Sequence, residues 1–139
     1  MIIKWFKEEQ GRENALWLRN KAEDGEIKLL ISAITLPEVA RGLKKAGWKK
    51  GEIHKCLKML DTIIKLLEIE MVDANTLVAK LAQEIVVEFN LYSADAVHLA
   101  SAILSNSDLF VSADSAHLKD AVREYSKNKG MKVVGLSEL

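Results

Sequence analysis

Two acidic residues stand at the ends of predicted elements, where carboxylates can take part in chemistry. Asp95 lies in the first turn of a helix that Ser93 is predicted to cap, and Asp114 follows the apolar run from Leu109 to Val111, which predicts a buried strand. Free backbone N–H groups and the helix dipole stabilise a carboxylate in the first turn of a helix, as at Asp95, by about 0.3–1 kcal/mol. Ligands of open α/β sheets gather beyond the carboxyl ends of strands, so the position of Asp114 also suits a ligand site.

Glu38 and Ser112 stand in similar places. Glu38 falls in the opening turn of a helix that begins at Thr35 and follows a predicted strand, while Ser112 ends the strand that precedes Asp114. Hard divalent cations take oxygen ligands, and carboxylates supply them. Because all four residues lie where strands end or helices begin, we predict one shared site at a rim of the sheet.

The elements that must position this site alternate between short strands and amphipathic helices. Their order is β, α, α, β, α, α, β, α, β, which implies an α/β fold with a small parallel sheet, helices on both faces and right-handed crossovers. The helix over 94–104 is apolar nearly all round and is therefore expected to be buried. The predicted strands are 28–34, 69–72, 109–111 and 132–134, and the other predicted helices are 14–22, 52–67, 115–129, one from Thr35 and one capped by Asn75.

Length and composition indicate a single globular domain over residues 1–139. The formal net charge is zero, which argues against strong indiscriminate nucleic-acid binding but permits a local basic face. The one cysteine, Cys56, excludes an internal disulfide and a cysteine-based zinc cluster, and it is predicted to lie in the core. No apolar run reaches the roughly 18 residues that span a bilayer, and the N-terminus does not resemble a signal peptide, so a cytoplasmic location is expected.

Three segments together resemble the acidic motifs of PIN-domain ribonucleases, with the greatest similarity to VapC-type toxins. They are TLPEVARGL at 35–43, YSADAVHLASAI at 92–103 and DLFVSAD at 108–114. The order and spacing of the elements are also similar over nearly the whole chain. The resemblance implies a three-layer PIN-like fold that gathers four acidic residues, binds Mg²⁺ or Mn²⁺ and hydrolyses RNA. It also implies a homodimer and an antitoxin protein as partner.

The resemblance carries over to four residues of this chain. The second acid of the family falls on Glu38, the third on Asp95 and the fourth on Asp114, and Ser112 takes the place of the motif's usual Thr or Ser. The implied roles are metal ligation for the three acids and assistance from Ser112. In such a site the metal lowers the pKa of a bound water and neutralises charge on the phosphate, and the products carry 5′-phosphate and 3′-hydroxyl ends.

The first acid of the family has no counterpart after Met1. The stretch Lys4, Trp5, Phe6 matches a position inside the family's first helix, so the strand that ends in the first acid would precede the printed chain. The domain is thus expected to be truncated at its N-terminus relative to the family. Either the start was assigned too late, or the protein is a degenerate member that lost a strand and a ligand.

Each acid also has a structural alternative. Thr35 and Glu38 have the spacing of a capping box, in which the Glu38 carboxylate bonds back to the helix start. Asp95 could merely complement its helix dipole, Asp114 could cap the next helix, and Ser112 could be an ordinary strand-end hydroxyl. On these grounds two other functions stay open: a catalytically degenerate PIN-fold module that binds RNA or an antitoxin without cleaving, and a purely structural use of the acids.

Positive charge is arranged along one predicted helix face. Lys119, Arg123 and Lys127 follow the spacing i, i+4, i+8 and are candidate contacts to RNA phosphates, with a solvated charged face as the alternative. Among the histidines, His98 is predicted to be a hydrogen-bonded core residue, and His117 a surface residue. There is no Gly-rich phosphate loop, Asp-x-Asp pair or Gly-x-Ser-x-Gly elbow, which argues against the common phosphatase, nucleotide-binding and hydrolase classes.

Overall fold

Helices and short strands alternate along the chain. The computed structural model describes residues 1–139 and contains six α-helices, four strands and two short 3₁₀ helices, Ile2–Trp5 and Leu136–Glu138. The helices are α1 (Arg12–Glu23), α2 (Thr35–Lys45), α3 (Lys50–Leu66), α4 (Thr76–Phe89), α5 (Ser93–Leu104) and α6 (Asp120–Asn128). The strands are β1 (Leu30–Ser32), β2 (Glu70–Val72), β3 (Leu109–Ser112) and β4 (Lys132–Gly135). The predicted class is confirmed, since this set of elements is that of a three-layer α/β fold.

Contacts divide the chain into two compact units. The first unit comprises Met1–Leu30 and Ile34–Met71, and the second unit comprises Ile31–Ala33 and Val72–Leu139. The single domain over residues 1–139 stays a prediction.

A buried tryptophan and a helical hairpin organise the first unit. The Nε1–H group of Trp5 donates to the carbonyl of Ala15 in α1 at 3.0 Å, and the indole is buried. Helices α2 and α3 pack together as a hairpin, and Leu43 and Leu60 on them are fully buried. Cys56 on α3 is buried, which confirms its predicted place in the core.

Gly47 sets the point at which α2 ends. Its φ of 87° lies in the left-handed region, its N–H donates to the Lys44 carbonyl at 3.0 Å, and the Trp48 N–H donates to the Leu43 carbonyl at 3.2 Å. These two bonds form a Schellman motif, which satisfies carbonyls that a helix end would leave free and favours glycine at the left-handed residue. The motif reverses the chain into α3.

Two closely packed helices form the core of the second unit. Helices α4 and α5 bury an apolar cluster together with α6 and β4, so the prediction that α5 is buried is confirmed. Alanines on α5 let the neighbouring helix approach closely. The fully or almost fully buried members of the cluster are Val78, Ala82, Ile85, Leu91, Ala96, Leu99, Ala100, Ala102, Val122, Met131 and Val133.

The strands form two small sheets. Strands β3 and β4 pair in parallel, with Leu109 opposite Lys132 and Ser112 opposite Gly135. Strands β1 and β2 form the other sheet, where the Glu70 N–H donates to the Leu29 carbonyl at 3.1 Å. Strand β1 is shorter than the predicted strand over 28–34, and β3 is more exposed than its apolar sequence predicts. Leu109, predicted to be buried, is 44% exposed.

Two predicted helix starts are wrong. Ser93 is the first helical residue of α5 rather than its cap, because the N-cap is Tyr92 and no side-chain bond closes that end. The helix predicted over 115–129 begins at Asp120. Residues 115–119 instead form turns, in which the N–H groups of His117 and Leu118 donate to the carbonyls three residues before them.

Arg123 holds the C-terminal segment in the second unit. Its guanidinium donates to the carbonyls of Leu118 at 3.1 Å and Val133 at 3.4 Å, and to both oxygens of Glu138 at 3.1 and 3.2 Å. The Glu138 carboxylate also accepts from the Gly135 N–H. That backbone bond, followed by the bond from Arg123, lowers the pKa of Glu138.

Removing the cap of α4 should weaken the second unit. The Asn75 side chain accepts from the Val78 N–H at 3.0 Å, as the sequence predicts for an N-cap. We expect Asn75→Ala to lower the free energy of unfolding by about 0.5–2 kcal/mol in urea titration, because a helix N–H loses its partner. Asn75→Ser keeps a capping oxygen and should stay close to the parent protein. Equal stability of the alanine variant would contradict this role.

The contribution of Glu138 should depend on pH. A carboxyl group whose pKa is lowered on folding stabilises the fold above its unfolded pKa and loses that contribution as pH falls through the folded pKa. We expect Glu138→Gln to lower Tm at neutral pH, and the difference from the parent protein to shrink as pH falls below the ordinary Glu range. Thermal melts across that range measure it. Glu124→Gln, an exposed carboxylate on α6, is the matched control and should leave Tm unchanged.

Candidate active site

The chain turns sharply where β3 ends, and this turn carries Asp114. The Asp114 N–H donates to Ser112 Oγ at 3.0 Å, and its carboxylate Oδ1 accepts from the Ala116 N–H at 2.8 Å. The His117 N–H donates to the Asp114 carbonyl at 3.2 Å. Asp114 itself is exposed, whereas Ser112 is only 6% exposed. The turn therefore exposes the Asp114 carboxylate at the surface, while the Ser112 hydroxyl that holds the turn is buried.

Asp95 lies on the first turn of α5, as predicted. It is the third residue of the helix and is half-buried. The positive end of the helix dipole stabilises a carboxylate in this position. The preceding residues place the helix start next to Leu91, which is buried in the core of the second unit. Packing of Leu91 thus fixes the start of α5, on which Asp95 lies.

His117 joins these two places, although the sequence predicted a surface residue. The imidazole is 4% exposed, its Nδ1 lies 2.7 Å from Ser112 Oγ, and its Nε2 lies 3.0 Å from the carbonyl oxygen of Asp95. The prediction is wrong because it placed His117 on an exposed helix, whereas residues 115–119 form turns that direct the ring inward. The polar residues directly after β3 favour turns and were the available signal.

Glu38 lies in the first unit, exposed on the first turn of α2. The capping-box alternative requires Thr35 at the N-cap, but Ile34 is the N-cap residue and Thr35 is already helical. Similarly, Asp114 does not cap the next helix, because the N-cap of α6 is Lys119. Two structural alternatives are therefore wrong, while metal ligation by Glu38 stays a prediction.

The donor set in the second unit has the chemistry that a hard cation needs. Mg²⁺ typically uses one or two protein carboxylates and keeps several waters, and Asp95 and Asp114 provide carboxylates on elements tied to the same imidazole. Their oxygen donors therefore fit Mg²⁺ or Mn²⁺. No group of three or more His, Cys, Asp or Glu side chains is arranged to hold a metal ion.

The three predicted RNA contacts differ in their surroundings. Lys119 and Lys127 are exposed at the two ends of α6. Arg123 is partly buried and donates to three acceptors within the second unit, so its guanidinium serves the fold. Its predicted contact to RNA would compete with these bonds. An RNA-binding role stays a prediction for all three.

Loss of the Ser112 hydroxyl should destabilise this turn. The hydroxyl lies between the Asp114 N–H and His117 Nδ1, and in Ser112→Ala both would lose their partner in a buried place. We expect the free energy of unfolding to fall by about 1–3 kcal/mol, measured by urea titration. Ser115→Ala, on an exposed part of the same turn, is the control and should have little effect. A neutral Ser112→Ala would show that the hydroxyl is not holding the turn.

Comparison with known proteins identifies the family. The family model described as PIN domain matches residues 1–123, which include Glu38, Asp95, Ser112 and Asp114. No curated protein and no solved structure gives a match. No helix combines the length and apolar character needed to cross a membrane. PIN domains are in general nuclease-like domains that act on nucleic acid and use divalent metal ions. With a match over most of its length, the chain belongs to the PIN-domain family.

Proposed function

We propose that this protein is a metal-dependent ribonuclease that hydrolyses RNA phosphodiester bonds, and that it is the VapC-type toxin of a toxin–antitoxin pair. The observation that carries the proposal is the arrangement of Asp95 and Asp114 around His117, within the stretch that matches the PIN domain. Two carboxylates on separate elements that are joined by one imidazole favour a role as ligands of a divalent cation over a role as two unrelated helix caps.

Each residue has a proposed part in this activity. Asp95 and Asp114 would hold Mg²⁺ or Mn²⁺, and a bound ion of this kind supplies an activated water and neutralises charge on the phosphate. Metal ligation by Glu38 is a separate part of the proposal. Ser112 would hold Asp114 in place, since its almost fully buried hydroxyl accepts a hydrogen bond from the Asp114 N–H. Lys119 and Lys127 would contact RNA phosphates from the exposed side of α6.

The partners of the protein are further parts of the proposal. They are an RNA substrate, an antitoxin protein and a second copy of the chain, and the proposed location is the cytoplasm. A chain with a net charge of zero does not bind nucleic acid through its overall field, so RNA binding would depend on local lysines.

A second candidate is a catalytically degenerate PIN-fold module that binds RNA or an antitoxin without cleaving. The observation that favours it is that no group of three or more potential ligands is arranged for a metal ion. Two carboxylates bind a cation more weakly than four, and phosphate from the substrate would have to complete the coordination.

Cleavage of RNA by point variants tests the proposal. We expect the full chain to cleave a labelled, mixed-sequence single-stranded RNA when Mg²⁺ or Mn²⁺ is added. Asp95→Asn and Asp114→Asn should each reduce the rate by about 100-fold or more, because groups that act on developing charge have effects of that size. Glu38→Gln should do the same if Glu38 is a ligand. Asp108→Asn, an exposed acid before β3, is the matched control and should cleave normally.

Calorimetric titration with Mn²⁺ separates the two candidates. Saturable binding that is lost in Asp95→Asn, together with a rise in Tm on adding the ion, supports the ribonuclease. Saturable binding without cleavage of any RNA offered favours the degenerate module. An absence of binding at millimolar Mn²⁺ would reject the metal-dependent mechanism.

A further inference from the structure

A buried histidine lies between the two proposed ligands of the second unit. The imidazole of His117 lies edge-on to Phe110, with ring centroids 5.0 Å apart and an interplanar angle of 81°. Both ring nitrogens have polar partners, Ser112 Oγ and the Asp95 carbonyl oxygen. Buried polar groups are almost always hydrogen-bonded, as this ring is, and the proposed catalytic function assigns it no role.

The partners determine which neutral form of the ring fits. A carbonyl oxygen can only accept a hydrogen bond, so Nε2, which lies 3.0 Å from the Asp95 carbonyl, carries the hydrogen. In the neutral ring Nδ1 is then an acceptor, and it takes the hydroxyl hydrogen of Ser112 at 2.7 Å. The same hydroxyl oxygen accepts from the Asp114 N–H at 3.0 Å. The bonds form one chain from the Asp114 backbone through Ser112 and His117 to the Asp95 backbone.

This chain is a hydrogen-bonded link between the Asp114 turn and α5. The other hydrogen bonds of Asp114 remain among residues 112–117, where its Oδ1 accepts from Ala116 and its carbonyl accepts from the His117 N–H. The His117 side chain extends from that turn to the Asp95 carbonyl, which lies 3.0 Å from its Nε2. Ala116 and Leu118 of the same turn pack against the apolar cluster that includes α5, and the bond from His117 adds a directional contact at the first turn of α5.

We propose that His117 is a positioning residue, whose neutral ring holds the turn with Asp114 against the first turn of α5 and so sets the separation of the Asp95 and Asp114 carboxylates for a divalent cation. This inference rests on the proposed function. His117 would not bind the metal ion itself and would act only through Asp95 and Asp114, the residues proposed to bind it.

Three variants separate the two bonds of the ring. His117→Gln places an amide N–H near the position of Nε2 and keeps the bond to Asp95. His117→Asn, shorter by one methylene, can reach Ser112 but not Asp95. His117→Phe keeps the ring shape against Phe110 and removes both bonds. The glutamine and asparagine variants are therefore a matched pair that differ in the link to α5.

Binding of Mn²⁺ to each full-length variant, measured by calorimetry beside a thermal melt, is the main test. We expect His117→Phe and His117→Asn to bind Mn²⁺ about 10–100-fold more weakly, which is the usual effect of losing a residue that orients a metal ligand. His117→Gln should restore most of the affinity. Comparison among variants of similar Tm separates positioning from a general loss of stability.

The ring itself gives a readout that needs neither metal nor RNA. Nitrogen-15 spectra of the parent protein, recorded at about pH 8, where ordinary histidines are neutral, should show His117 with hydrogen on Nε2 and a bare Nδ1. Hydrogen on Nδ1 would overturn the inference, and this holds even if a His117 variant fails to fold.

The outcomes for His117 and for the proposed function can be told apart. If the parent protein binds Mn²⁺ and His117→Phe and His117→Asn bind it equally well, positioning by His117 is wrong and the metal site survives. If the parent protein binds no Mn²⁺, the proposed function fails and the inference fails with it. Weaker binding by both variants, with recovery in His117→Gln, supports the inference.

Discussion

Burial of α5 is the constraint on which the second unit depends. Ala96, Leu99, Ala100, Ser101 and Ala102 are buried, and only the two end residues of α5, Ser93 and Leu104, are exposed. A buried helix satisfies its own backbone except at its termini, where free N–H and carbonyl groups must find other partners. The polar start of α5 is therefore where chemistry can be placed, and Asp95 stands there.

The second polar place arises from β3 by the same logic. A short strand paired in parallel with β4 must end in a connection that leaves the sheet, and Ser112 and Asp114 form that connection. A buried hydroxyl in such a position needs partners, since an unsatisfied polar group costs about 1–3 kcal/mol. The imidazole of His117 satisfies Ser112 and the Asp95 carbonyl together. The His117 side chain thus provides a hydrogen-bond partner both at the end of β3 and at the start of α5.

The chain belongs to the PIN-domain family, and this bears on how Asp95 and Asp114 are interpreted. Carboxylates near the ends of a strand and a helix are compatible with many uses, from simple capping to binding a cation, and the matched family is one of nuclease-like domains that use divalent metal ions. Arg123, which stands on the same helix as exposed lysines, is committed to the C-terminal segment through Glu138 and two carbonyls.

The amino-acid sequence by itself determined the α/β class, the order of the helices and strands, and the positions of Asp95 and Asp114 at element ends, because these follow from local apolar periodicity and from residues such as Asn75. It did not reveal the burial of His117 or the commitment of Arg123. Both depend on which distant backbone carbonyls come within reach of a side chain, 22 residues away in the case of His117 and Asp95. Local patterns favoured a helix at residue 115, and only the tertiary structure replaced it with turns, because the turns satisfy Asp114 and bring His117 to Ser112 and the start of α5.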